Sequence, residues 1–124
     1  MHRIAPDDRC LTIVIAAFNE AEALPVLQPR IATALALAEA EGLEARVLYI
    51  DDGSRDGTWD VLRGFAAADP RVALLRLSRN FGKEAALTAG LDRVERGAAF
   101  ILDADGQDPP ELLPRFVAQW REGF

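Results

Sequence analysis

Residues 47–54 read Val-Leu-Tyr-Ile-Asp-Asp-Gly-Ser, an apolar run that ends abruptly in two carboxylates and a glycine. A short, continuous apolar run is typical of a strand that is covered on both faces, as the strands of a parallel sheet are. Three further runs have this character: Leu11–Ala17, Val72–Leu77 and Ala98–Leu102. Together with Val47–Ile50 they predict four buried strands.

Segments with helical spacing separate and follow these runs. Apolar residues that share a helical face form four groups: Leu24, Leu27, Ile31 and Leu35; Val61, Leu62 and Phe65; Leu87, Leu91 and Val94; and Leu112, Phe116 and Trp120. The alternation predicts the order βαβαβαβα, and therefore a three-layer α/β fold in which a mostly parallel sheet carries helices on both faces. Gly42 is expected to end the first helix.

The chain has 124 residues, of which 50% are hydrophobic, and a formal charge of −6. This size predicts a single domain over residues 1–124. The acidic balance argues against a nucleic-acid partner, which would need a basic stripe. Cys10 is the only cysteine, no apolar stretch reaches the roughly 18 residues of a membrane span, and the N-terminal residues contain no signal segment. A cytoplasmic location is therefore expected.

Polar residues cluster where each predicted strand ends. They occupy residues 18–20, 51–58, 78–83 and 103–108. The carboxyl ends of parallel strands form one edge of a sheet, and the ligands of open α/β sheets bind beyond that edge. The sequence therefore predicts a ligand site there.

Asp103 and Asp105 end the fourth predicted strand two residues apart, a spacing that directs both carboxylates to one point. Such a pair favours a cation, and oxygen ligands suit Mg²⁺ or Mn²⁺. The amide oxygen of Gln107 is a candidate third ligand, and substrate phosphates typically complete the shell of Mg²⁺. The alternative is ordinary turn chemistry with no bound ion.

A carboxylate after the second strand, Asp51 or Asp52, is suited to accept the N–H groups of uracil or guanine. The alternative is a capped turn without a ligand, in which Asp56 is the N-cap of a helix that begins near Thr58. Lys83 opens the third helix and adds a positive charge where a helix N-terminus already favours anions.

Other chemistries fit the sequence less well. The spacings Gly-x-x-x-x-Gly-Lys-Ser/Thr and Gly-x-Gly-x-x-Gly, which mark two common phosphate-binding loops, are absent. His2 is the only histidine and is expected in a frayed terminus, which argues against a Ser-His-Asp or Cys-His site. The segment 108–111, Asp-Pro-Pro-Glu, predicts a helix start with Asp108 as N-cap and Glu111 closing a capping box.

Four segments together resemble the family 2 glycosyltransferases of GT-A fold, in order and in spacing. They are residues 15–20 (Ile-Ala-Ala-Phe-Asn-Glu), 51–58 (Asp-Asp-Gly-Ser-Arg-Asp-Gly-Thr), 79–86 (Arg-Asn-Phe-Gly-Lys-Glu-Ala-Ala) and 103–111 (Asp-Ala-Asp-Gly-Gln-Asp-Pro-Pro-Glu). The last two are most similar to the polyprenyl-phosphate branch, the dolichol-phosphate mannosyltransferases and bactoprenol glucosyltransferases. Ala16 stands where the family often has Pro, and Gly106 where the branch often has Leu.

The resemblance implies inverting transfer of a hexose from a UDP- or GDP-sugar to a polyprenyl phosphate. By matching position, it implies a nucleotide-sugar pocket lined by Ala16, Phe18, Glu20, Asp51, Asp52, Lys83, Asp103, Ala104 and Asp105. It also implies that Mg²⁺ or Mn²⁺ is held on the diphosphate by Asp103, Asp105 and Gln107.

The acceptor-binding half of the family, with its catalytic Asp, is expected beyond residue 124, so the chain is expected to be truncated and no catalytic residue is assigned. One hypothesis is a donor-binding part that lies peripherally at the cytoplasmic face of a membrane. A second is a non-catalytic nucleotide-sugar-binding or assembly module that forms homo-oligomers through an exposed edge. A third is a family 2 enzyme that acts on polysaccharide or glycolipid.

Overall fold

The computed structural model describes residues 2–4, 9–105 and 109–121. These residues form five strands and four α-helices, which alternate from the second strand onward, and a short 3₁₀ turn, Pro110–Leu112, precedes the last helix. The elements are β1 (His2–Ile4), β2 (Cys10–Ala17), α1 (Leu24–Ala40), β3 (Glu44–Asp51), α2 (Thr58–Ala68), β4 (Val72–Arg76), α3 (Lys83–Leu91), β5 (Ala98–Asp103) and α4 (Leu113–Arg121).

The strands form one sheet in the order β1-β5-β2-β3-β4. The four predicted strands are present and parallel, with β2 at the centre. Strand β1 was not predicted: it pairs antiparallel with β5, His2 opposite Phe100, so the expectation of a frayed terminus at His2 is wrong. Three residues carry no periodic pattern, and their partner strand lies near the other end of the chain, so this pairing is a tertiary effect.

Helices cover both faces of the sheet, which confirms the three-layer prediction. Alternate residues of β2 point to opposite faces. Ile13 and Ile15 pack with helices α1, α2 and α4, whereas Val14 packs with Ala86 of α3. Helix α3 lies close to the sheet, because a Cβ added at Gly90 would stand 2.5 Å from the side chain of Ile50. No helix in the described ranges is long and apolar enough to cross a membrane.

The helix ends confirm one sequence prediction and correct another. Gly42 adopts a left-handed φ of +85° after α1 and donates to Glu39 O at 2.9 Å, as a glycine that ends a helix does. Helix α2 begins at Thr58 as predicted, but Gly57 holds the cap position. The Asp56 carboxylate, one residue earlier, still accepts the Thr58 N–H at 2.9 Å.

The carboxylate of Glu111, the residue predicted to close a capping box with Asp108, binds the guanidinium of Arg30. Arg30 donates from Nη2 to Oε1 at 2.6 Å and from Nε to Oε2 at 3.0 Å. The side chain of Glu111 thus ties the 3₁₀ turn before α4 to α1. Asp108, the predicted N-cap, lies outside the described residues.

Candidate functional site

A pocket of about 260 Å³ lies at the carboxyl edge of the sheet, where the sequence predicts a ligand site. Its lining comes from the ends of β2, β3 and β5 and from the first residue of α3. The lining residues are Ala16, Ala17, Phe18, Glu20, Asp52, Lys83, Asp103, Ala104 and Asp105. Eight of them are among the nine residues that the sequence assigns to the nucleotide-sugar pocket, and Ala17 is the addition.

Parallel register brings these residues together. In the ladder between β2 and β5, Ala16 lies beside Asp103, and in the ladder between β2 and β3, Ala17 lies beside Asp51. One residue further on, the Asp52 N–H donates to Ala17 O at 2.9 Å. Because β2 is the central strand, its last residues form the floor of the pocket, and the ends of β3 and β5 stand on either side.

Asp52 anchors the segment that leads into α3. Its side chain is buried, with 2% of the residue exposed. Oδ1 accepts the Phe81 N–H at 2.9 Å, and Oδ2 accepts the Gly82 N–H at 3.1 Å and the Asn80 amide at 3.2 Å. These bonds fix the start of α3, and with it the backbone of Lys83. The sequence does not assign residues 80–82 to the site, although they lie in the segment 79–86 that carries the resemblance.

The loop after β3 and the loop after β4 meet at residue 53, a position that only glycine can occupy. Its φ is +70°, and an added Cβ would stand 2.2 Å from the carbonyl carbon of Arg79. Both the backbone conformation and the close approach of the second loop therefore exclude a side chain. The loop after β3 and the loop after β4 are packed backbone to backbone beside the pocket.

Asp51 is the one assigned residue that does not line this pocket. It is completely buried, and its Oδ1 accepts the Ser54 N–H at 2.9 Å. Within the described ranges its Oδ2 accepts no hydrogen bond, and Arg76 Nε lies 4.0 Å away. Asp51 therefore supports the turn after β3 through its hydrogen bond to Ser54.

Negative charge converges on the pocket. Burial raises the pKa of Glu20 above its ordinary value, and the nearby carboxylates of Asp105 and Asp56 raise it further. Lys83 is the cation that lines the pocket, and its ammonium pairs with the Asp103 carboxylate. A site with this balance favours a ligand that brings positive charge together with an anionic group.

The carboxylate oxygens at the end of β5 are the kind of ligand that a hard divalent cation prefers. Asp103 and Asp105 both line the pocket, whereas Gln107 lies outside the described residues. The described part of the chain holds no group of three or more His, Cys, Asp or Glu side chains that could bind a metal by themselves. Mg²⁺ is commonly bound by one or two carboxylates and completed by substrate phosphates, so two carboxylates are a sufficient protein contribution.

A larger cavity, of about 470 Å³, lies at the opposite edge of the sheet. It is lined by residues at the amino ends of the strands and by the loop before β5, including Cys10, Arg46, Arg93 and Arg96. Among the described residues that line it, Glu95 carries the one carboxylate. Because ligands of open α/β sheets bind at the carboxyl edge, the smaller pocket is the candidate site.

Comparison with known proteins gives a family match and close relatives. A family model described as Glycosyl transferase family 2 matches residues 12–124. A bactoprenol glucosyl transferase of Shigella phage SfX is 39% identical over 113 residues, which are 91% of this chain and 36% of the relative. An undecaprenyl-phosphate 4-deoxy-4-formamido-L-arabinose transferase of Salmonella paratyphi B is 40% identical over 115 residues, 92% of this chain and 34% of the relative. The chain thus spans about a third of the length of these relatives.

Solved structures share the fold. S. aureus TarS matches with a TM-score of 0.68 at 18% identity over 90% of this chain and 32% of that one. The mannosyltransferase PcManGT of Pyrobaculum calidifontis, in complex with GDP-Man and Mn²⁺, matches with a TM-score of 0.65 at 24% identity over 82% of this chain and 30% of that one. TarS in complex with UDP matches with a TM-score of 0.62 at 16% identity, over 88% of this chain and 32% of that one. These likenesses confirm the predicted GT-A type of α/β fold.

Proposed function

Because the chain belongs to glycosyl transferase family 2, we propose that it is the donor-binding part of a glycosyltransferase that moves a hexose, with inversion, from a nucleoside-diphosphate sugar to a polyprenyl phosphate. The single observation that carries the proposal is the pocket at the carboxyl edge, where eight of the nine assigned residues meet. Residues 1–124 form one donor domain in this proposal, and the acceptor side, with its catalytic Asp, belongs to the rest of the protein.

The lining residues divide into two groups by position and chemistry. Phe18, Glu20 and Asp52, at the ends of β2 and β3, are assigned to the nucleoside, with Ala16 and Ala17 as floor. Lys83, together with Asp103, Ala104 and Asp105, is assigned to the diphosphate side, where the ammonium and the N-terminus of α3 favour anionic oxygens. Asp51 is assigned a supporting role beneath the nucleoside side.

Asp103 and Asp105, with Gln107, would hold Mg²⁺ or Mn²⁺ beside the diphosphate. When bound, such an ion offsets the negative charge that builds on the leaving nucleoside diphosphate. The chain's own contribution is to hold the two carboxylates at the end of β5 and to keep Lys83 beside Asp103. The structure of PcManGT, a relative in fold, is a complex with GDP-Man and Mn²⁺, and this supports the assignment.

The acceptor is inferred from the relatives. The bactoprenol and undecaprenyl-phosphate transferases that match this chain are named for polyprenyl acceptors. We extend that acceptor class to this protein, and place the donor domain at the cytoplasmic face of the membrane, where nucleotide sugars and a lipid phosphate meet.

Calorimetric titration of UDP and of GDP, each with and without Mn²⁺, tests the donor assignment directly. We expect one of the two to bind with Mn²⁺ and to lose most of its affinity without it. Asp105→Ala should abolish the metal-dependent part, whereas Asp92→Ala, which removes an exposed carboxylate at the end of α3, should not. Absence of binding of both nucleotides to the folded chain would overturn the proposal.

Transfer of radiolabelled sugar to a polyprenyl phosphate by the full-length protein then tests the reaction. Binding without transfer in that protein would favour the alternative, a non-catalytic nucleotide-sugar-binding module. Transfer to a polysaccharide or glycolipid in place of the lipid phosphate would favour a different family 2 activity.

A further inference from the structure

Four hydrogen bonds fasten the loop after β2 to the loop after β3, an arrangement that we name the loop clasp. The Asn19 N–H donates to Ser54 Oγ at 2.9 Å, and Asn19 Oδ1 accepts the Arg55 N–H at 2.9 Å. The two remaining bonds run from Glu20 N–H to Thr58 Oγ1 at 2.9 Å and from Ala21 N–H to Asp56 Oδ2 at 3.3 Å. Backbone groups of one loop are thus satisfied by side chains of the other.

Asn19 has a backbone conformation that sets the direction of its neighbours. Its φ is +54°, and it is the only residue other than glycine with a positive φ in the described ranges. Asparagine tolerates this left-handed conformation better than most residues do. Phe18 and Glu20, on either side of it, line the pocket, while Asn19 itself does not.

The clasp rests on Asp51. The buried carboxylate of Asp51 accepts the Ser54 N–H at 2.9 Å, and Ser54 in turn accepts the Asn19 N–H. A chain of contacts therefore runs from the end of β3, through the turn, to the loop that carries Phe18 and Glu20. This chain gives Asp51 a role even though its side chain does not reach the pocket.

We propose that Asn19, Ser54 and Asp51 are positioning residues of the donor pocket, which act by holding Phe18 and Glu20 in place before the nucleotide binds. This inference rests on the proposed function. A loop that is already ordered in the free protein does not have to be ordered on binding, so its hydrogen bonds raise affinity without touching the ligand. Loosening the clasp should therefore weaken nucleotide binding and leave the sheet and helices intact.

Binding of UDP and of GDP with Mn²⁺ to clasp variants tests the inference. Asn19→Ala and Ser54→Ala each remove one half of the reciprocal pair of hydrogen bonds. Each should lower the affinity for the nucleotide that binds by roughly fivefold to tenfold. Ser54→Thr keeps a hydroxyl and should stay within about twofold of the unmodified chain. Thr33→Ala removes a hydroxyl that bonds Pro29 O on the exposed side of α1 and serves as the matched control.

Two further readouts separate positioning from folding. The circular dichroism spectrum of each variant should match that of Thr33→Ala, and each variant should unfold in a single cooperative transition. Amide hydrogen exchange at Asn19 should be slow in the unmodified chain and in Ser54→Thr, and fast in Ser54→Ala. Asn19→Gly, which keeps the left-handed backbone but loses the side-chain acceptor, should weaken binding as Asn19→Ala does.

The outcomes distinguish the two proposals. If the unmodified chain binds a nucleotide and both alanine variants bind it within twofold, the inference is overturned and the proposed function stands. The inference also fails if Ser54→Thr binds as weakly as Ser54→Ala, or if the clasp variants no longer fold, because the clasp would then hold the fold and not the pocket. If the unmodified chain binds neither nucleotide, both proposals fail.

Discussion

Lys83, the first residue of α3, pairs with Asp103, the last residue of β5, at the pocket that the carboxyl edge of the sheet forms. The Lys83 side chain is 59% exposed, so the ion pair stands largely in water. Exposed pairs contribute about 0–1 kcal/mol to the stability of a fold. The lysine is therefore better placed to serve an anionic ligand than to hold the fold together.

Lys83→Met should weaken binding of the preferred nucleoside diphosphate by roughly tenfold, because it removes a charge-assisted contact to the diphosphate. The free energy of unfolding should change by less than about 1 kcal/mol. Calorimetry and urea denaturation measure the two effects separately. Arg63→Met, on the exposed face of α2, is the matched loss of positive charge and should leave affinity unchanged. Equal affinities in the two variants would contradict the assignment of Lys83.

Gly53→Ala should destabilise the protein by more than about 2 kcal/mol, because the added Cβ needs an unfavourable φ and also overlaps the backbone of the facing loop. Its φ is +70°, and the carbonyl carbon of Arg79 would lie 2.2 Å from the new atom. Gly64→Ala provides the control, since Gly64 lies within α2 and a Cβ there meets nothing within 4 Å. That change should stabilise the helix by roughly 0.5–1 kcal/mol. Urea denaturation should show that the two variants change the free energy of unfolding in opposite directions.

The parallel core could be predicted because each of its strands contains a short, nearly continuous apolar run. Strand β2, with its continuous run, lies at the centre of the sheet, where both faces are covered. Strand β1 could not be predicted, since its three residues owe their conformation to pairing with β5. The N-cap of α2 is Gly57 and not the predicted Asp56, whose carboxylate binds the Ala21 N–H of a distant segment.

The edge of the sheet at which the candidate pocket lies could be predicted, because the carboxyl ends of parallel strands meet at one edge. The last residue of β2, Ala17, lies beside the last residue of β3, Asp51. The direction in which a side chain points at the end of a strand is harder to predict. Asp51 and Asp52 are adjacent, yet Asp52 lines the pocket and Asp51 is buried beneath the turn. The sequence does not carry that distinction, because it depends on the alternation of faces and on the partners of each carboxylate.

Asp69 should make stability depend on pH in the acid range. A hydrogen bond from the Arg71 guanidinium holds the pKa of Asp69 below its ordinary value. The pair therefore stabilises the fold above the unfolded pKa of about 3.9, and this contribution is lost as the pH falls further. Asp69→Asn should cost about 0.5–1 kcal/mol at pH 7, and less below about pH 4, when urea denaturation is compared with that of the unmodified chain.

Arg71→Met and the double variant complete the thermodynamic cycle for this pair. Because Arg71 also binds Glu39, the single variant should cost more than Asp69→Asn does. The coupling energy between Asp69 and Arg71 should fall as the carboxyl is protonated. A cost of Asp69→Asn that stays constant from pH 7 to pH 3 would show that the ion pair does not underlie it.

Asp52→Asn should destabilise the protein by about 1–3 kcal/mol, because an amide cannot replace a carboxylate that accepts from three donors. The carboxylate is buried and binds the N–H groups of Phe81 and Gly82 and the Asn80 amide, so the new NH₂ group would face a donor and leave it unsatisfied. Urea denaturation measures the loss, and faster amide exchange at residues 81 and 82 should locate it. Asp92→Asn, at the exposed end of α3, should change stability by no more than about 0.5 kcal/mol. If Asp52→Asn behaved like this control, Asp52 would not anchor the loop. If it behaves as predicted, nucleotide affinity should fall with it, because the start of α3 carries Lys83 into the pocket.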